Sequence, residues 1–326
     1  MRVRKSLLMM VALLSLAHTS NVFSFENTML NSKLNINGNT VPYPIFSIFV
    51  MPNKAFTVEF VDKTHTGSFQ FHHANGEALK TSSNLPAASG SVGKAPIFAP
   101  KKSGHYILKT TNAQSGETAT LNVFVMTSLE KVDKTGKLNG YTIGKYPDKP
   151  LKNNPIYLPP SGLIEVSPEQ TDVRLSPNFT LGQFLSKQQQ GFPKYVHLRA
   201  GLLLKLEKIL HTLNDEGHAV EGLTIMSGYR TPFYNKAIGN VQYSRHVWGG
   251  AADFYIDQSP KDGVMDDLNK DGVVNREDAV WLANFISDMS KQGAFGPRIG
   301  GLGIYGANAA HGPFVHVDVR GTLARW

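Results

Sequence analysis

The chain has 326 residues, 33 Lys plus Arg against 25 Asp plus Glu, and no cysteine. A length of this order accommodates about two domains, and 41% apolar with 18% charged residues lies outside the composition of a disordered chain. The absence of cysteine excludes disulfide frameworks, iron–sulfur clusters, zinc ribbons and thiolate nucleophiles, so any bound metal must be held by His, Asp or Glu.

The first residues read as an export signal, 1–24. Arg2, Arg4 and Lys5 form a basic start, Leu7 to Leu16 an apolar stretch, and Val22 and Ser24 stand at −3 and −1 of a cleavage before Phe25. The apolar stretch is shorter than the ~20 residues of a membrane span. The expected location is periplasmic or secreted, without a membrane anchor. Losing the signal takes the formal net charge from +8 to +5, an excess that suits an anionic polymer without singling one out. No Arg/Lys cluster with interleaved aromatics speaks for nucleic acid.

Residues 25–127 show short apolar runs between turn residues, at Ile45–Val50, Phe56–Val61, Ser68–Phe71, Ile97–Ala99, Tyr106–Thr110 and Thr118–Val125. Several alternate with period two, and no amphipathic helix intervenes. A β-sandwich is expected, and its last two runs resemble the closing hairpin of bacterial immunoglobulin-like modules. His72 and His73 would face opposite sides of a strand and read as surface imidazoles. Residues 128–177, with Pro147, Pro150, Pro155, Pro159 and Pro160, read as an extended linker on the surface.

The remainder, 178–326, mixes helix and strand. Leu202, Leu203, Leu206, Ile209, Leu210 and Leu213 give a helical stripe within Leu198–Leu213. Strands are expected at Gly222–Met226, Ala251–Ile256, Leu302–Tyr305 and Phe314–Val319, and a helix at Ala279–Gln292. This order, with the last two strands close enough to pair, predicts an α+β domain.

Between the second strand and that helix, Asp267, Asn269, Asp271, Asn275 and Asp278 place side-chain oxygens at positions 1, 3, 5, 9 and 12 of a loop. Gly272 stands at its sharp turn and Val273 offers a carbonyl, which together suit a calcium ion. Asp278, where the commoner pattern has Glu, resembles the loops of dockerin modules. Those modules pair two loops, and only one is found, so the loop reads as a structural clamp.

A second set of donors is His246, Asp253 and His316. Two imidazoles and one carboxylate leave a tetrahedral zinc ion one position for water, the pattern of a catalytic site; zinc lowers the pKa of that water and polarises a bound carbonyl. The surrounding motifs are Ser227-Gly228-Tyr229-Arg230-Thr231-Pro232, then Ser244-x-His246-x-x-Gly249-x-Ala251-x-Asp253, then Gly301-Leu302-Gly303-Ile304-Tyr305, then Phe314-Val315-His316-Val317-Asp318. In this order they resemble the D-Ala-D-Ala metallopeptidase superfamily, which shares its fold with hedgehog signalling domains. The closest resemblance is to exported murein endopeptidases whose F-V-H-x-D motif is followed by Arg and Trp, as at Arg325-Trp326.

The resemblance implies that His246, Asp253 and His316 hold zinc and that Arg230 binds substrate carboxylate or carbonyl groups, a task its planar fork suits. Ser244 either bonds near the metal or shapes the turn. The position three before the last ligand, where relatives carry a general base, is Pro313. Two candidates for the base are Asp318, on the same strand face as His316, and His311, on the preceding loop; a carboxylate beside a ligand histidine also serves as an orienter. The expectation is thus a hedgehog/D-Ala-D-Ala-peptidase-like α+β C-terminal domain behind an all-β immunoglobulin-like N-terminal domain. The expected activity is zinc-dependent cleavage of peptidoglycan peptide cross-links. Trimming of terminal D-Ala and non-catalytic wall binding are the alternatives.

Overall fold

The computed structural model describes residues 24–79, 89–93 and 96–326. Apart from Ser24, the segment read as an export signal lies outside these residues. Among the described residues, no helix is long and apolar enough to cross a membrane.

The N-terminal half is built on a five-stranded sheet. Its strands are β1 (Ile45–Val50), β2 (Gly67–His73), β3 (Ser89–Ser91), β4 (Gly104–Asn112) and β5 (Thr118–Val125), in the order β1–β5–β4–β2–β3. β1 runs parallel to β5, and the other neighbours are antiparallel. In β4 the buried residues are Tyr106, Leu108, Thr110 and Asn112, the period of two expected of a half-buried strand. β5 is buried continuously from Leu121 to Val125. Its second face is covered too: the Asn122 amide donates to the Arg174 carbonyl at 2.8 Å.

The run Phe56–Val61 does not form one strand. Ala55–Phe56 pairs with Ile97–Phe98, while Val58–Phe60 pairs with Leu34–Ile36 in a different sheet. Leu34–Ile36 also forms a tight hairpin with Asn39–Val41 across Asn37-Gly38, both at positive φ. That dipeptide is the hairpin's sequence signal, since Asn and Gly tolerate the turn's left-handed backbone.

Residues 128–177 are not an extended surface linker. Leu138, Tyr141, Ile143, Tyr146, Tyr157, Leu163, Ile164 and Val166 are buried, because apolar residues recur between the prolines that suggested a linker. The strand β6 (Gly162–Val166) pairs with Thr127–Ser128 on one side and with β7 (Lys194–Val196) on the other. It therefore ties the two halves together, and their apolar residues form one continuous cluster.

Helix α1 (Ala200–Asp215) buries its entire predicted leucine stripe. It packs on Arg174–Ser176 and on β1 of the N-terminal half. The strands β8 (Thr224–Ser227), β9 (Ala251–Tyr255), β10 (Gly301–Tyr305), β11 (Phe314–Asp318) and β12 (Ala324–Arg325) form the second five-stranded sheet, in the order β8–β9–β11–β10–β12. Only β12 is parallel to its neighbour. Helix α2 (Pro232–Ala237) follows β8, and helix α3 (Arg276–Lys291) packs against β10 and β11. α2 was not expected, although Thr231 capping it and Pro232 opening it are a legible helix start.

Candidate metal centre

Two of the three candidate ligands are placed by sheet register. Asp253 on β9 and His316 on β11 are directly opposed across an antiparallel pair, so their side chains rise from the same face. His246 comes from a single 3-10 turn, Arg245–Trp248, that precedes β9. The turn ends at Gly249 with φ +60, and a Cβ there would stand 2.0 Å from the His197 carbonyl oxygen. Both the left-handed backbone and the close approach demand glycine.

The supposed linker supports this turn. Trp248 donates its indole N–H to the Leu158 carbonyl at 3.0 Å and meets the Tyr157 ring edge-on at 5.3 Å. The Arg245 guanidinium lies 4.8 Å from the Tyr157 ring centre, and the Tyr146 hydroxyl donates to the Val247 carbonyl. Ser244 opens the turn without a side-chain capping bond.

The three side chains meet. His246 Nε2 is 3.1 Å from Asp253 Oδ1 and 3.2 Å from His316 Nδ1, and His316 Nδ1 is 2.7 Å from the same carboxylate oxygen. They are buried, 2%, 4% and 6% exposed in chain order. The far nitrogens set the tautomers. His246 Nδ1–H donates to the Gly228 carbonyl at 2.6 Å, and His316 Nε2 faces the Asp318 carboxylate at 3.4 Å. A carbonyl and an ionised carboxylate only accept, so both histidines turn a lone pair toward Asp253 Oδ1. Three acceptors aimed at one point with no hydrogen between them call for a cation, and two nitrogens with one oxygen suit zinc. Among the described residues, His246, Asp253 and His316 form the group of His, Asp or Glu donors able to hold a metal ion.

The titration behaviour agrees. Burial pushes the Asp253 carboxyl up, but the two imidazoles override it and hold it far below the usual carboxylate range. Burial pushes the His246 imidazole down. Burial opposes protonation of His316 as well, yet bonding to Asp253 and Asp318 holds its pKa above the ordinary value.

The residues expected around the metal are redistributed. Arg230 is buried; its Nη2 pairs with Asp253 Oδ2 and its Nε donates to Ser227 Oγ at 2.8 Å. It holds the outer oxygen of a ligand instead of lying open to substrate, because the short Ser227–Arg230 loop brings it down onto β9. Asp318 is wholly buried and accepts from the Gly301 N–H at 2.9 Å and from the Arg320 backbone and guanidinium. Burial raises its carboxyl, but His316 and Arg320 drive it far below the ordinary range. It lies behind the His316 ring, against the nitrogen turned away from Asp253. His311 donates from Nδ1 to the Gly312 carbonyl and accepts on Nε2 from Asn308, both at 2.8 Å, leaving neither nitrogen bare.

In the calcium-type loop, Gly272 takes φ +86 as position 6 requires. Asp267 accepts from the Gly272 N–H at 2.8 Å, Asn269 from Asp271 and Asp271 from Val273, each at 2.9 Å. Asn275 caps α3 through the Glu277 N–H, with its amide 3.3 Å from the Val273 carbonyl. Asp278 is wholly buried, accepting from Leu268 and Asn275. The oxygens wrap the loop backbone; the three carboxylates do not converge as the zinc donors do.

Residues 177–275 match the family model of peptidase M15. The match supports a hydrolytic peptidase of the D-Ala-D-Ala type. It covers Arg230, His246 and Asp253 of the M15-like region, and His316 joins them through the sheet from beyond its end. No curated protein matches the chain.

Proposed function

We propose that this chain is an exported zinc peptidase that hydrolyses amide bonds in the peptide cross-links of peptidoglycan. The observation that carries the reading is the meeting of His246 Nε2, Asp253 Oδ1 and His316 Nδ1, all as acceptors, on an M15-like domain. A zinc ion held by these atoms supplies Lewis acidity toward a scissile carbonyl and toward water. The chain's own groups prepare the site. The Gly228 carbonyl and Asp318 fix the two histidine tautomers, and Arg230 holds Asp253 Oδ2 so that Oδ1 faces the centre.

The pairing of Arg230 with Asp253 favours cutting within a cross-link over trimming a terminal D-Ala. An arginine engaged by a ligand carboxylate is not a clamp for a substrate's terminal carboxylate. Pro313, at the position where relatives carry a general base, favours a second reading: a non-catalytic module that binds the wall and keeps the metal. We also infer that the loop 267–278 takes a calcium ion as a structural clamp at the start of α3, supported by its oxygen spacing and by Gly272.

Metal analysis and digestion of purified sacculi, on wild type and His246→Ala in parallel, test the main reading. The wild type should carry about one zinc per chain and release muropeptide monomers from dimers, and the variant should do neither. Free D-Ala as the product would point to trimming. Zinc without any product, with the protein pelleting on sacculi, would establish the binding reading. Equal activity in the two proteins would end the zinc mechanism.

A further inference from the structure

The candidate ligands belong to a row of residues across the second sheet, and the row continues beyond them. Ser227, Asp253, His316 and Gly303 are successive cross-strand neighbours on β8, β9, β11 and β10, so they share one face. Gly303 has no side chain to put there, and Trp326 fills the place. A Cβ at Gly303 would stand 2.5 Å from the indole Nε1, and one at Gly301 2.8 Å from Cη2. The two glycines of the Gly301-Leu302-Gly303 motif are thus the bed on which the indole lies.

The ring is firmly held. Trp326 accepts the Ile304 N–H on its carbonyl at 3.0 Å, and its Nε1–H donates to the Tyr305 hydroxyl at 2.6 Å. Its centre is 5.2 Å from the His316 ring, and the Arg320 guanidinium lies 5.3 Å from it. Tyr305 in turn stacks on Phe314 at 4.5 Å. Despite these contacts Trp326 remains 48% exposed. An indole bedded on two glycines, near half exposed and beside a candidate metal ligand, is a preformed apolar surface with little conformational freedom left to lose.

We propose that Trp326 is a substrate-positioning and specificity-determining residue. The exposed part of its indole takes the apolar part of the peptide residue adjoining the scissile amide. An extended peptide advances about 3.3 Å per residue, so a chain whose amide lies against His316 brings its next residue over the indole. The inference rests on the peptidase reading and names one wall of that site.

The test uses zinc-loaded full-length protein and purified cross-linked muropeptide dimers, comparing wild type with Trp326→Phe, Trp326→Ala and Gly303→Ala. Trp326→Ala should raise KM about tenfold while kcat changes by less than about threefold. Phenylalanine should restore most of the affinity, and Gly303→Ala, which displaces the indole, should behave as Trp326→Ala. Zinc content should stay the same throughout. An unchanged KM in Trp326→Ala overturns the proposal, and so does a fall in kcat accompanied by loss of zinc, which would make the indole a mere prop for His316. Tryptophan emission gives a second readout without turnover. Muropeptide dimers should shift it to the blue in wild type and not in Trp326→Phe, and the absence of a shift in wild type counts against the proposal. If the wild type cleaves nothing, the peptidase reading fails, and the emission titration still decides the role of Trp326.

Discussion

Single atoms decide whether this centre can hold a metal. His246 and His316 carry lone pairs toward Asp253 because their far nitrogens face acceptors, the Gly228 carbonyl and Asp318. Asp318→Asn would put an amide behind His316 and weaken the preference for the Nε2–H tautomer. Zinc affinity, measured by competition with a chromogenic chelator, should fall about 10- to 100-fold, with the fold intact by circular dichroism. A variant that binds zinc as tightly as wild type would remove Asp318 from the argument. The spacing of His316 and Asp318 was legible in the chain, since residues two apart on a strand share a face. What was not legible is which side of the imidazole the carboxylate would reach. Arg230 shows the same limit: its motif position is clear, but only packing turns its fork onto Asp253.

Elements carry the ligands, and their reliability differs. α1, β1 and β5 follow hydrophobic periodicity, whereas the register that sets Asp253 of β9 opposite His316 of β11 is a tertiary pairing. The turn Arg245–Trp248 has no periodicity to read; it stands because Gly249 accepts a left-handed backbone against His197. α3 begins with a capping box, Asn275 and Asp278, worth about 1 kcal/mol for the Asn275 cap alone. The calcium reading is tested here. Calcium at a hundredfold above its dissociation constant should stabilise the chain by about 2–3 kcal/mol, seen as a rise in the thermal midpoint. Asp267→Ala should abolish that rise. A midpoint indifferent to calcium in the wild type would leave the loop as a hydrogen-bonded cap for α3.

Among the described residues, one apolar cluster runs through both halves. Polar contacts reinforce the seam: Asn178 exchanges bonds with Glu26 and donates its backbone N–H and its side-chain amide to the buried Glu207 carboxylate of α1. All three tryptophans, Trp248, Trp281 and Trp326, lie in the C-terminal half, so their emission reports that half while far-ultraviolet dichroism reports both. The two probes should give coincident unfolding curves; separated transitions would mean that the halves are independent.

Acid should weaken the whole molecule together. His197 lines a cavity of about 200 Å³ between the halves with Ile36, Phe46 and Met126. Burial, with Arg199 and Arg245 nearby, pushes its imidazole down to about 4. An unfolded histidine binds its proton near pH 6.5. Between pH 6.5 and 4 the unfolded chain therefore binds more protons, and stability falls as pH falls through this window. His197→Gln should flatten that part of the profile; an unchanged slope would exclude His197 as its source.

The sequence by itself determined the periodic elements and the absence of cysteine, because these depend on residue type and short spacing, while the donor set was proposed from a family resemblance. It misjudged residues 128–177, since prolines mark where the backbone bends and not whether the tyrosines between them are buried. Only the tertiary structure shows which atoms Arg230, Asp318, His311 and Trp326 meet. Each role depends on which atom a side chain meets across strands and turns far apart in the chain, and that is a matter of register and packing, which local pattern does not encode.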